Sequence, residues 1–254
     1  MKRLIDSHCH LTKEEYKENF EEIIEDTKSN LEAIINIGCD LRTSEEALKL
    51  SKNYDFMYAA VGIHPNYANN YNEEDDTNLL KIIKEEKVVA IGECGLDYYR
   101  DITPKDIQKR IFKKQLDWCK EFDKPVIIHG REAYKDIISI LTLPEYKKVK
   151  GVMHSFAGNY KDVEKILDRF YCSISGVVTF KNAANIHEMV KEIPLERLMV
   201  ETDAPYLTPH PFRGKINRPS YITYTAQKIA EIKDIPYSRV IEITNENTKE
   251  LFKI

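Results

Sequence analysis

Hydrophobic positions along the chain follow two alternating rhythms. Short runs rich in apolar and β-branched residues predict strands: RLIDSHC (3–9), EAIINIG (32–38), FMYAAVG (56–62), VVAIGEC (88–94), PVIIH (125–129), GVMH (151–154), YCSISGV (171–177) and RLMVETD (197–203). Between them lie amphipathic segments with helix-start signals. Thr12 to Glu15 and Thr43 to Glu46 fit capping boxes, in which a hydroxyl and a carboxylate satisfy two otherwise orphaned N–H groups. Thr103 precedes Pro104, a cap followed by proline at the first helical position. Ile107, Ile111, Leu116, Cys119 and Phe122 then recur near helical spacing. REAYKDIISIL, NYKDVEKILDRF, ANIHEMVKEI, SYITYTAQKIAEI and SRVIEITNENTKELF predict the remaining helices. The acidic stretch NEEDDTN (72–78) reads as a solvated loop leading into a helix.

Eight strand–helix units in 254 residues have the size and rhythm of a TIM (β/α)8 barrel. The expected fold is therefore α/β, one barrel domain spanning 1–254 with no linker or internal boundary. The alternative is an open doubly wound sheet. Its nucleotide-binding form is disfavoured, because no glycine-rich phosphate loop follows the first strand.

Composition adds mainly exclusions. The chain is 42% hydrophobic and 31% charged, as soluble globular proteins are. No apolar run approaches the roughly 20 residues that span a bilayer. Asp6 and His8 interrupt the start before a signal-peptide core forms, so a cytoplasmic location without membrane contact is expected. Five cysteines, Cys9, Cys39, Cys94, Cys119 and Cys172, are scattered without a CxxC pair and read as reduced, mostly buried thiols. The net charge of −4 supplies no general basic field for gripping duplex DNA, so phosphate binding has to be local.

Chemistry concentrates where the predicted strands end. His8 and His10 close the first, His64 follows the third, Glu93 closes the fourth, His129 the fifth, His154 the sixth, and Glu201 and Asp203 the eighth. In a parallel barrel these ends share the face that carries the active site. Strand alternation puts His8 and His10 on one face with Asp6 one layer deeper, and turns Cys9 and Cys94 toward the helices. Glu201 and Asp203 share a face by the same rule. So many imidazoles and carboxylates are costly to bury without a compensating cation. Four histidines, His8, His10, His129 and His154, with Glu93 and Asp203, suit two divalent ions rather than one. Such a centre is net positive, and Arg213, Lys215 and Arg218 in the loop after the last strand add to it. An anionic phosphate fits that field better than a neutral amide.

The segments DSHCHL (6–11), GIHP (62–65), GECGLDYY (92–99), IIHGRE (127–132), HSFAG (154–158) and ETDAPYL with RGKINRP (201–219) resemble the motifs of the TatD family of metal-dependent deoxyribonucleases, a branch of the amidohydrolase-like barrels. The resemblance covers nearly the whole chain. It implies that His8 and His10 bind one ion with Asp203, that Glu93 bridges the ions, and that His129 and His154 bind the second. It further implies phosphodiester hydrolysis on DNA, often from the 3′ end.

On that basis Asp203 is the expected general base toward a metal-activated water, and Glu93 and Asp203 are the expected catalytic carboxylates. Asp6 and Glu201 are expected to orient ligands without binding an ion. His64, Arg131, Arg213, Lys215 and Arg218 are candidate substrate contacts, and Tyr98, Tyr99, Phe156 and Tyr206 are candidates to stack on bases. His187 and His210 read as surface or loop residues. Zn, Mn, Co, Ni and Mg all suit the mixed nitrogen and oxygen donors. The expected partner is DNA, single-stranded or at an end, with no obligate protein partner. Two rival readings remain: an amidase, lactonase or phosphotriesterase on the same centre, and a non-catalytic metal-dependent nucleic-acid binder.

Overall fold

The computed structural model describes residues 2–254. Its strands are β1 (Leu4–Cys9), β2 (Leu31–Ile37), β3 (Met57–Val61), β4 (Val88–Asp97), β5 (Val126–Arg131), β6 (Gly151–Met153), β7 (Phe170–Ile174) and β8 (Leu198–Val200). They form one eight-stranded sheet in chain order, with parallel ladders such as Ile5↔Ala33, Val61↔Ile91 and Ile174↔Val200. Helices alternate with them: α1 (Lys13–Tyr16), α2 (Phe20–Asn30), α3 (Leu41–Asn53), α4 (Glu73–Ile82), α5 (Lys105–Phe122), α6 (Tyr134–Leu141), α7 (Tyr160–Val163), α8 (Ala184–Glu192), α9 (Ile222–Lys233) and α10 (Tyr237–Phe252). This is the expected (β/α)8 barrel fold. No helix among the described residues is long and apolar enough to cross a membrane.

Two compact units make up the chain. The first runs through Asn36 and takes in Ser155–Tyr160 and Tyr171–Ile254; the second comprises Ile37–His154 and Lys161–Phe170. In the first, β1 is buried along its whole length although Asp6, Ser7 and His8 interrupt its apolar residues. Such groups are buried cheaply only with partners, and Ser7 Oγ meets Ser173 Oγ and Val200 O while Asp6 accepts from Thr202 N. Two buried asparagines of α10 bind the backbone where β1 and β8 start. Asn245 accepts from Ile5 N and donates to Arg3 O, while Asn247 donates to Leu195 O and Leu198 O. In the second unit α5 does the same with glutamine. Gln115 accepts from Ile63 N and donates to Ile63 O beyond β3, and Gln108 brackets the Asp97 backbone at the end of β4. The two glutamines lie seven residues apart, so both point from one helix face.

Several expected boundaries move. β4 continues three residues past Cys94 to Asp97, and β8 stops at Val200, short of Glu201. Thr43 is not a cap but the third residue of α3: it completes a capping box whose first member is Asp40. The acidic stretch 72–78 is largely helix, because Asn72 and Asp75 form a second box that starts α4. Thr12 accepts from Glu15 N, while the Glu15 carboxylate accepts from the Tyr206 hydroxyl. Thr103 donates to Asn66 O, and Pro104 occupies the cap of α5. The helix expected over 159–170 shortens to the four residues of α7.

Candidate metal centre

In the first unit β1 presents His8 on one face and Cys9 on the other, where the buried thiol contacts Ile35 O. Beyond β8 the backbone still follows β1, since Asp203 N donates to His8 O and His10 N donates to Ala204 O. Asp203 adopts a φ of 55° and so departs from strand alternation. Its carboxylate turns to the two imidazoles, whereas Glu201 accepts from Ser155 N at 2.9 Å. The expectation that Glu201 and Asp203 share a strand face is thus corrected: both lie past the end of β8.

The result is a triad of donor atoms. His8 Nε2 and His10 Nε2 lie 3.1 Å apart, and Asp203 Oδ1 stands 3.6 Å from the first and 3.4 Å from the second. Three atoms with these separations can all sit about 2.0–2.2 Å from one ion, the distance at which imidazole nitrogen and carboxylate oxygen bind a zinc-like cation. The donor set therefore fits a divalent metal. Asp6 lies beneath, fully buried, and accepts from His8 N, Thr202 N and Thr202 Oγ1. Burial pushes its carboxyl up to about 8, against those hydrogen bonds. Asp6 thus ties the backbone of His8 in β1 to Thr202 beyond β8.

In the second unit three histidines surround Glu93, which is 3% exposed. Its Oε1 lies 2.9 Å from His129 Nδ1, 3.7 Å from His154 Nε2 and 3.8 Å from His64 Nε2. Glycines on either side let the backbone come this close. Gly92 and Gly95 have φ of 151° and 139°, and a Cβ on Gly95 would collide with the His129 carbonyl oxygen. His64, Glu93 and His129 form a group able to hold a cation. Within it His64 differs, because its Nδ1 accepts from Asn66 N at 3.1 Å. A neutral His64 therefore carries its proton on Nε2 and offers a donor toward Glu93, not a lone pair.

Two neighbours escaped the sequence reading. Asp97 Oδ2 lies 3.1 Å from His129 Nε2. Glu93, Gly95 and Asp97 alternate along one face of β4, a period-two signal hidden by ending the strand at Cys94. Burial would lower the His129 pKa, but the bonds to Asp97 and Glu93 outweigh it and hold it above the ordinary value. Burial would raise Asp97, yet His129 and the N–H groups of Arg100 and Tyr99 bring it to about 2. Cys39, only partly buried, places Sγ 3.9 Å from Glu93 Oε2; nothing in its sequence setting marks it. Burial pushes the Cys9 and Cys94 thiols well up, and Cys9 Sγ and Cys94 Sγ contact the backbone carbonyls of Ile35 and Ile127.

The candidate substrate contacts are more dispersed. Arg131 lies 4.0 Å over the ring of Tyr99, which is 59% exposed. Arg213 covers Phe180 at 3.8 Å and Lys215 lies 5.7 Å from the Phe212 ring. Arg218 pairs with Glu22 at 3.2 Å and Asp26 at 3.9 Å. Tyr98 donates to Asp136, and Tyr206, exposed, stands edge-on to His10. Phe156 is 1% exposed, so it packs the interior and is corrected as a stacking candidate. His187 contacts Val178 O, and His210 is exposed.

The model of the family described as TatD related DNase matches residues 5–253. A protein of Bacillus subtilis (strain 168), the uncharacterized metal-dependent hydrolase YabD, is 47% identical over 253 residues, 99% of each chain. The human 3′-5′ RNA nuclease TATDN2 is 34% identical over 270 residues, which covers 98% of this chain and 35% of that one. Among solved structures, YJJV, a TatD homolog from Escherichia coli K12, aligns with a TM-score of 0.91 at 27% identity over 99% of this chain and 98% of that one. These matches run over nearly the whole of this chain, in accord with the donor triad and the histidines around Glu93, and the chain belongs to the TatD family of metal-dependent hydrolases.

Proposed function

We propose that this hydrolase cleaves phosphodiester bonds of DNA, releasing nucleotides from the 3′ end of a single strand. The observation that carries the reading is the triad of His8, His10 and Asp203, whose spacing suits a single cation. A second ion would be held by Glu93, His129 and His154. Bound divalent ions lower the pKa of water and draw charge from phosphate oxygens.

The chain's own groups supply the rest. Asp203 accepts the proton of the attacking water. His64 donates from Nε2 to a phosphate oxygen, a polarity set by Asn66 N. Arg131, Arg213 and Lys215 meet the phosphates along the strand, while Tyr99 and Tyr206 offer exposed ring faces to bases.

The human relative's name favours a second reading, an RNA substrate. The test is a reconstitution series. Chelated protein is loaded in turn with Zn, Mn, Co, Ni and Mg, then given end-labelled single-stranded DNA, matched RNA, and a panel of cyclic amides and esters. Ion-dependent shortening of DNA from its 3′ end is expected. Turnover confined to RNA would shift the substrate, and turnover confined to small esters or amides would overturn the reading.

A further inference from the structure

Asp97 is held more firmly than a surface carboxylate at the end of a strand would be. Its side chain is fully buried. Oδ1 accepts from Tyr99 N at 3.0 Å and Arg100 N at 2.9 Å. Its backbone N–H and C=O are both bound by the Gln108 side chain, at 2.8 and 2.9 Å, and Gln108 also donates to Thr103 O. With one oxygen occupied by two main-chain donors and the backbone bracketed, the carboxylate has one orientation. Its second oxygen meets His129 Nε2 at 3.1 Å.

An ionised carboxylate only accepts hydrogen bonds. His129 Nε2 therefore carries a proton, and the lone pair of a neutral ring lies on Nδ1. That nitrogen is 2.9 Å from Glu93 Oε1. Two acceptors at this distance repel unless a cation or a proton lies between them. Two ligands on neighbouring positions of one ion, each about 2.1 Å from it, stand about 3 Å apart. The ladder places His129 opposite Gly95, with Glu93 and Asp97 two residues to either side, so one ring reaches both carboxylates.

We infer that Asp97 is a positioning residue: it fixes the tautomer of His129 so that Nδ1 is offered to the cation shared with Glu93. The inference rests on the metal-binding role of His129 in the proposed function. Metal-bound histidines commonly give their other N–H to a carboxylate, and loss of such a partner lowers metal affinity.

The substitution D97N tests it with little change of shape. The amide oxygen still serves Tyr99 N and Arg100 N, so the amide nitrogen faces His129 Nε2. Donor then meets donor, and the ring proton moves to Nδ1. Two measurements on the full-length protein follow. Equilibrium dialysis against Zn or Co is expected to show about 10–100-fold weaker binding. Ring-nitrogen NMR shifts of the ion-free protein are expected to show Nε2 protonated in the wild type and unprotonated in D97N, with D97E restoring the first state. Unchanged affinity together with a protonated Nε2 in D97N would overturn the inference. Wild-type protein that takes up no ion would overturn the proposed function instead, and the nitrogen shifts would still decide the role of Asp97.

Discussion

The main-chain N–H of Asp203 donates to the carbonyl oxygen of His8 at 2.9 Å, so the backbone of one candidate ligand sets the position of another. The positive φ of Asp203 completes the arrangement by turning its carboxylate to both imidazoles. Aspartate and asparagine tolerate that backbone conformation, whereas alanine strains it. D203N is therefore the clean substitution. We expect ion-free D203N to melt within a few degrees of the wild type while hydrolysis falls about 10²–10⁴-fold. Wild-type turnover in this variant would remove Asp203 from the chemistry.

The proposed role of His64 predicts a variant in which metal binding and catalysis separate. Because Asn66 N occupies its Nδ1, the ring can donate but not ligate while neutral. In H64Q, kcat is expected to fall on the order of 10²-fold while metal per chain, read by elemental analysis, stays the same. Loss of an ion in this variant would instead make His64 a ligand.

Asp6 joins β1 to the segment after β8. Asp6→Ala leaves the N–H groups of His8 and Thr202 and the Thr202 hydroxyl without this acceptor in a fully buried place. Each buried group left unsatisfied costs about 1–3 kcal/mol, and such costs add poorly. A loss of about 3 kcal/mol in urea unfolding is expected, larger than for R218A or R131A.

Two arginines should part company. Arg218 is engaged with Glu22 and Asp26, so R218A is expected to cost no more than about 1 kcal/mol of stability and to leave KM near the wild type. Arg131, stacked on an exposed tyrosine, is expected to matter for substrate: R131A should raise KM for single-stranded DNA several-fold, with a shallower salt dependence. Equal KM effects from both would contradict this division.

The barrel fold was legible because apolar runs and amphipathic segments alternate so regularly. The candidate ligands stood out because histidine and carboxylate are conspicuous at the ends of such runs, and the structure groups His8 and His10 with Asp203, and His129 with Glu93. What escaped depended on tertiary partners. The extension of β4 to Asp97 follows ladder bonds with β5, notably Asp97↔Arg131, while the sequence there looks like the start of a loop. The end of β8 hides behind the unbroken run RLMVETD, where the backbone turns at Asp203. Phe156 sits beside His154 in the chain yet points into the core, a direction that alternation alone does not give for a residue following the left-handed Ser155. Cys39 gained its neighbour Glu93 from the path of the chain after β2, which no local pattern records.

The hydrogen bonds between β1 and the stretch beyond β8 also carry a meaning for how the protein is made. Glu93, His129 and His154 have all been synthesised once residue 154 is joined. The triad joins His8 of β1 and His10 just past its end to Asp203, 195 positions after His8 and added later than all of these. The two imidazoles therefore precede their carboxylate partner in order of synthesis, and the Asp203 N–H bond to His8 O is what brings the three together in the folded protein. An ion held by all three donors would therefore need the stretch beyond β8 to be docked on β1, and a chain cut before residue 203 would lack one of the three.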